Sequence, residues 1–250
     1  MKVIMLGRQK NIAKSAGASI GLNMLNMVLP GAGTAIAVAV NANTARRVYN
    51  SNFDKKDYSQ SDGEVEKLSK AKKKATASTS LEDLKKVNPN YDKRGGVNNC
   101  FNCSVTMEMR RRGYDVQARR ASSGKTNSQL ADYFEKPKLA SLNISQNSGE
   151  SKKNYKTRAY SQLCNEIEKQ GNGARGYISM FFDKIGAGHA MYYEVINGKV
   201  QFYDPQSGQT GKIINAAFSD CRPETIMYSR LDNLKPKPAV MECCVSRKDK

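Results

Sequence analysis

Asn98-Asn99-Cys100-Phe101-Asn102-Cys103 sets two thiols close together, and far downstream stand the chain's single histidine, His189, and then Asp204. A thiol nucleophile needs these three groups. The thiolate is the reactive species, an adjacent imidazole lowers its pKa and returns a proton to the leaving group, and a carboxylate fixes the imidazole tautomer. The candidate catalytic set is one of the two cysteines with His189 and Asp204.

The second half of that set comes with a geometry. From His189 to Pro205 the chain reads HAMYYEVINGKVQFYDP, apolar and aromatic on both sides of Asn197-Gly198. Asn-Gly is the strongest short signal for a two-residue hairpin turn, so Ile196 falls opposite Lys199, Met191 opposite Asp204 and His189 opposite Gln206. Alternation along the strands puts His189, Met191 and Asp204 on one face, the histidine and aspartate as diagonal neighbours about 5–8 Å apart. Pro205 cannot donate to a ladder and ends the pairing, which leaves Gln206 as a rival orienter of the imidazole. A lone histidine near a glycine-rich turn is more often structural; the register and the upstream thiols reverse that balance.

The first half sits on a helix. Phe101 to Arg112 is helix-like and stops at Gly113. If the helix begins at Cys100, then Cys103 and Met107 lie beneath it as packing residues, and the helix N-terminus stabilises a thiolate. If Cys103 attacks, the matching positions are Thr106 and Arg110, a poorer inner face. Spacing favours Cys100, with Cys103 as its buried support and as the alternative nucleophile. Asn99 or a backbone N–H there offers an oxyanion donor. Around this helix the pattern predicts a strand at 114–118, a capping box Thr126-x-x-Gln129, and a helix over 158–170 that holds Cys164 in the core. Strands follow at 176–182, 189–196, 199–204 and 226–231. One helix ahead of a mostly antiparallel sheet is an α+β fold.

Composition narrows the rest. The 250 residues are 39% hydrophobic, enough for a real core, and carry a formal charge of +18. That charge would suit nucleic acid or an anionic surface, but no nucleic-acid-binding signature accompanies Arg110-Arg111-Arg112 or Arg119-Arg120. A solvated basic face is the favoured reading, and nonspecific nucleic-acid binding is not. Six cysteines, Cys100, Cys103, Cys164, Cys221, Cys243 and Cys244, are too sparse for a disulfide scaffold, and without a second histidine their spacing disfavours zinc. Neither metal nor cofactor is implied, and free thiols in a reducing compartment fit best.

No charged residue stands between Lys14 and Arg46. A helical hairpin turning at Pro30-Gly31 is the favoured reading, and its surroundings, membrane contact through residues 15–45 or protein, stay open; a signal peptide is the competing reading. The expected organisation is an apolar hairpin for delivery or assembly at 1–50, a polar basic linker at 51–86, a catalytic domain at 87–234 and a basic tail at 235–250. Within the linker, Ser80 followed by Asp83 reads as the cap of a short helix through Lys86.

Three stretches, VNPNYDKRGGVNNCFNCSVTMEMRRRGYDVQA, GAGHAMYYEVINGKVQFYDPQSG and YSRLDNL, closely resemble the papain-like toxin family known as papain-fold toxin or toxin glutamine deamidase domains. Their order and number carry the resemblance, over about 87–234. It implies a papain-like fold, a Cys-His-Asp triad on a cysteine of the first motif, His189 and Asp204, and deamidation of glutamine in a target protein. Alternatives are a cysteine protease of the same fold, or a non-enzymatic virion-associated binding protein. The Arg-Arg-Arg-Gly-Tyr-Asp-Val version resembles phage and prophage head-associated copies. The expected setting is a phage virion or secreted effector, with the phage head or a delivery apparatus as partner, acting in a bacterial or host cytoplasm.

Overall fold

A computed structural model of the chain describes residues 62–91, 96, 98–121, 124–183 and 187–247. The expected hairpin at 1–50 lies outside the described residues.

The fold is mixed α+β, with helices packed on an antiparallel sheet, and is consistent with a papain-like fold. Its six strands are β2 (Ala140–Ser141), β3 (Arg175–Phe182), β4 (Gly188–Ile196), β5 (Lys199–Asp204), β6 (Gln209–Thr210) and β7 (Cys221–Arg230), in the spatial order β2-β7-β3-β4-β5-β6. On one face lie α4 (Lys152–Glu168) and α5 (Lys212–Asp220). Tyr155, Ala159, Leu163 and Ile167 recur at helical spacing along α4 and meet Ile178, Met180, Met191 and Tyr193 of the sheet. Cys164 sits half-buried against that core, as expected of a packing residue.

The other face carries α2 (Cys100–Arg111), in which every residue from Phe101 to Arg110 is buried. Burial all round the helix follows from its two apolar stripes. Phe101, Val105 and Met109 pack with Leu130, Tyr133, Tyr177 and Ala190, while Cys103 and Met107 pack with Leu84, Val87, Tyr192 and Tyr203. Gly113 ends the helix at φ +91°, a left-handed conformation that favours glycine. The Thr126 and Gln129 cap works as expected: the Thr126 N–H donates to Gln129 Oε1 at 2.8 Å, ahead of α3 (Leu130–Tyr133).

Between the apolar stripes the helix buries charge, and here the structure corrects the solvated basic face. Arg110 is fully buried and donates to Asp83 at 3.1 Å and to Asp115 at 3.0 Å. Arg111 reaches Asp83 and Glu194. Arg119 is 2% exposed. Glu108, also buried, collects Arg112 at 2.6 Å, Arg175 at 3.2 Å and the Tyr192 hydroxyl at 2.7 Å. Removing one partner of a buried ion pair strands the other, so Glu108→Ala is expected to cost about 3–5 kcal/mol, read from the urea midpoint. A loss below about 1 kcal/mol would show that the network is dispensable.

Two boundary expectations meet packed structure instead. The helix expected after Ser80 forms as α1 (Ser80–Val87), but its cap is Thr79, whose N–H donates to Glu82 Oε2 at 2.7 Å, while Asp83 turns inward to Lys74 and Arg110. Residues 62–79, read as linker, lie against the unit. Ala71 is buried, the Arg119 guanidinium donates to the carbonyls of Gly63 and Glu64 at 2.6 Å each, and Arg120 pairs with Asp62 at 2.9 Å. The expected basic tail is seated too. Val240, Met241, Cys243 and Cys244 are buried, and β8 (Cys244–Ser246) pairs antiparallel with β1 (Val116–Ala118) in a sheet of their own. A chain beginning at Ser80 is therefore expected to unfold at a lower urea concentration than one beginning at Asp62. Equal midpoints for both would contradict the packing of 62–79.

Candidate active site

The hairpin register expected from Asn197-Gly198 forms next to the turn, but the expected pairs Met191 with Asp204 and His189 with Gln206 are absent from the ladder. Asn197 and Gly198 take φ +53° and +74°, as a two-residue turn of the favoured type requires, and the ladder runs from Ile196 opposite Lys199 to Tyr192 opposite Tyr203. Beyond Tyr203 the strands part: β5 ends at Asp204, just ahead of Pro205, and Asp204 pairs with Gln209 of β6 rather than with Met191. The divergence leaves the side chains free to meet. His189 Nε2 lies 3.2 Å from Asp204 Oδ2, closer than backbone register alone requires.

Asp204 is held from several sides. Its Oδ1 accepts from the backbone N–H groups of Gln206 at 3.0 Å and Ser207 at 3.4 Å, and its Oδ2 accepts from Ser207 Oγ at 2.7 Å. Burial raises its pKa, but the charge and hydrogen bond of His189, with those donors, outweigh burial and hold it below the usual carboxylate value. Burial likewise disfavours the charged imidazole, yet the attraction of Asp204, its hydrogen bond and the neighbouring Cys100 thiol raise His189 to about 10. Phe182 stacks on the ring with centroids 5.9 Å apart. With Nε2 committed to Asp204, the second nitrogen, Nδ1, is buried without a hydrogen-bond partner. Cys100 lies close enough to the ring for its thiol to raise the imidazole pKa.

The two thiols differ sharply. Cys100 opens α2 and is partly exposed, whereas Cys103 is wholly buried among Leu84, Val87 and Met107. Burial, and then the proximity of Cys100 and Asp204, push the Cys103 thiol well above its ordinary range, which leaves it protonated and inert at neutral pH.

Asn99 and Gln206 form part of an amide chain beside this centre. Asn99 Nδ2 donates to the Arg119 carbonyl at 3.1 Å and to Asn88 Oδ1 at 3.3 Å, so its donor is already engaged. Gln206 reaches Asn99 Oδ1 through Nε2 at 3.4 Å, and its backbone N–H, not its side chain, bonds to Asp204. Three residues enter the site that the sequence reading did not single out. Ser207 braces Asp204, and Asp-Pro-x-Ser was an available signal, since Asp side chains commonly bond the backbone two residues on. Asn88 donates to the Gln206 carbonyl at 2.8 Å. The buried Tyr91 hydroxyl has no hydrogen-bond partner among the described residues and feels the charge of Asp204.

Comparison with known families adds to this geometry. The family model for papain fold toxin 1, glutamine deamidase, matches residues 98–209. No curated protein and no solved structure matches the chain. The papain fold toxin match is narrower than the 87–234 span of the motifs, and it takes in Cys100, His189, Asp204, Gln206 and Ser207 while leaving Asn88 and Tyr91 outside.

An imidazole that must return a proton to a leaving amine works only while protonated. His189 keeps its proton up to about 10, so kcat/KM of a reaction in which it protonates the leaving amine should persist through neutral pH and fall as pH rises past that value. Stability has the same sign: the raised pKa contributes fully below the unfolded value and is lost as pH rises through about 10. Asp204, with its lowered pKa, contributes above its unfolded value and loses that contribution as pH falls. A pH–rate profile with circular dichroism at each point checks this. An alkaline limb at the ordinary imidazole value would contradict it.

Proposed function

We propose that the chain is a cysteine-dependent amidohydrolase that deamidates glutamine in a target protein. The observation that carries the reading is His189 held at 3.2 Å by Asp204 on one nitrogen, with its other nitrogen unpartnered beside Cys100. Cys100 Sγ attacks the side-chain carbonyl carbon, and the first backbone N–H groups of α2, which have no intrahelical partners, receive the developing oxyanion. The C–N bond breaks as His189 gives its proton to nitrogen, and ammonia leaves. Water then attacks the thioester with His189 as base, which yields glutamate and regenerates the thiol. Asp204 stabilises the imidazolium throughout.

The papain fold toxin match supports both the thiol chemistry and a protein substrate with a reactive glutamine. The toxin in the family's name supports an effector role. Intact-mass spectrometry of a target protein tests the reading: deamidation adds about 1 Da, whereas proteolysis through the same thioester yields two fragments. Fragments, or an unchanged target with every candidate offered, would overturn deamidation.

A further inference from the structure

Buried polar side-chain atoms nearly always find a hydrogen-bond partner, so a cluster that lacks them marks a place built for something else. Such atoms recur on residues next to Cys100 in sequence and on residues near Asp204. Asn98 Nδ2, Asn102 Oδ1, His189 Nδ1, Gln206 Oε1 and the Tyr91 hydroxyl are all buried with no hydrogen-bond partner among the described residues. Asn98 and Asn102 flank Cys100 in sequence, His189 feels its thiol, and Tyr91 feels Asp204.

The orientation of Gln206 follows from a chain of constraints. The Arg119 carbonyl can only accept, so Asn99 must present Nδ2 to it, at 3.1 Å. That leaves Asn99 Oδ1 to accept from Asn88 Nδ2 and from Gln206 Nε2, each at 3.4 Å. Reversing the Gln206 amide would set two carbonyl oxygens against each other. Its Oε1 is thereby fixed as an unpaired acceptor on a residue that is 1% exposed and two positions from Asp204.

An acceptor in that position suits a primary carboxamide. Such a group offers two N–H donors on its nitrogen, whereas a peptide bond offers one and carries a carbon substituent in place of the other. We propose that Gln206 Oε1 accepts a hydrogen bond from the NH2 of the substrate carboxamide and so selects a primary amide as the group that Cys100 attacks. This rests on the amidohydrolase reading above. Holding one N–H on Gln206 turns the nitrogen toward the proton on His189, which it takes as the C–N bond breaks; Gln206 itself neither gains nor loses a proton.

The test compares two substrates on one enzyme: a glutamine peptide and the same peptide with the γ-methyl ester of glutamate in place of glutamine. Both pass through the same thioester, but only the amide has an N–H to bind. In the full chain, Gln206→Met is expected to lower the amide-to-ester ratio of kcat/KM by roughly ten- to a hundredfold. Gln206→Asn, which keeps the amide but withdraws it by one methylene, should lower the ratio in the same direction and serves if the first variant does not fold. A ratio unmoved while both rates fall would make Gln206 a structural residue and overturn the inference alone. A natural chain that hydrolyses neither substrate would overturn the amidohydrolase reading and this inference with it.

Discussion

Cys100→Ala is expected to abolish the proposed deamidation, with a loss of at least about 10⁴-fold, because the neighbouring thiol of Cys103 is wholly buried and held protonated. The fold should survive. Cys100 is partly exposed at the first position of α2, where a thiol contributes little packing, and alanine is a good helix former. Cys103→Ala behaves in the opposite way: it opens a small cavity among Leu84, Val87, Met107 and Tyr203 and should lower the unfolding midpoint while sparing most of the rate. Kinetics and urea unfolding measured on both variants separate the two roles. An active Cys100→Ala chain would show that the thiol chemistry is placed on the wrong residue.

Asp204→Asn is expected to lower kcat by up to about 10⁴-fold, the loss such a change brings in a serine-protease triad, and by less than His189→Ala. The carboxylate accepts from His189, from two backbone N–H groups and from Ser207, and it holds the imidazolium. An amide keeps the shape but carries no charge, so the His189 pKa should fall and the alkaline limb of the rate profile should move down with it. Gln206 was the rival for this role, and its side chain turns to Asn99 instead. A fully active Asp204→Asn enzyme whose alkaline limb has not moved would contradict the assignment.

Local rules made the centre of this site legible. Asn197-Gly198 set the register of β4 and β5, and Pro205 marked where the pairing stops, so His189 and Asp204 could be brought together from spacing alone. Helical spacing marked Cys103 and Met107 as packing residues of α2, and both are buried in its core. What stayed hidden depends on partners distant in sequence. Arg119 looks like a surface residue until the carbonyls of Gly63, Glu64, Met241 and Cys244 are seen around its guanidinium, and no local pattern announces that. The same reason made residues 62–79 read as linker and 235–247 as tail: their polar composition is matched by hydrogen bonds to the unit rather than by water. Asn88 and Tyr91 fall within the first resembling stretch, but the place of Asn88 beside Gln206 emerges only when the chain folds back over 118 residues.

The central claim is that Cys100, paired with His189, is the nucleophile, and covalent labelling tests it most directly. The full chain is treated at neutral pH with a glutamine-mimicking chloromethyl ketone, digested and mapped by mass spectrometry. The account predicts an adduct on Cys100 that is lost in His189→Ala, and none on Cys103; an adduct on Cys103 with Cys100 unlabelled would contradict it.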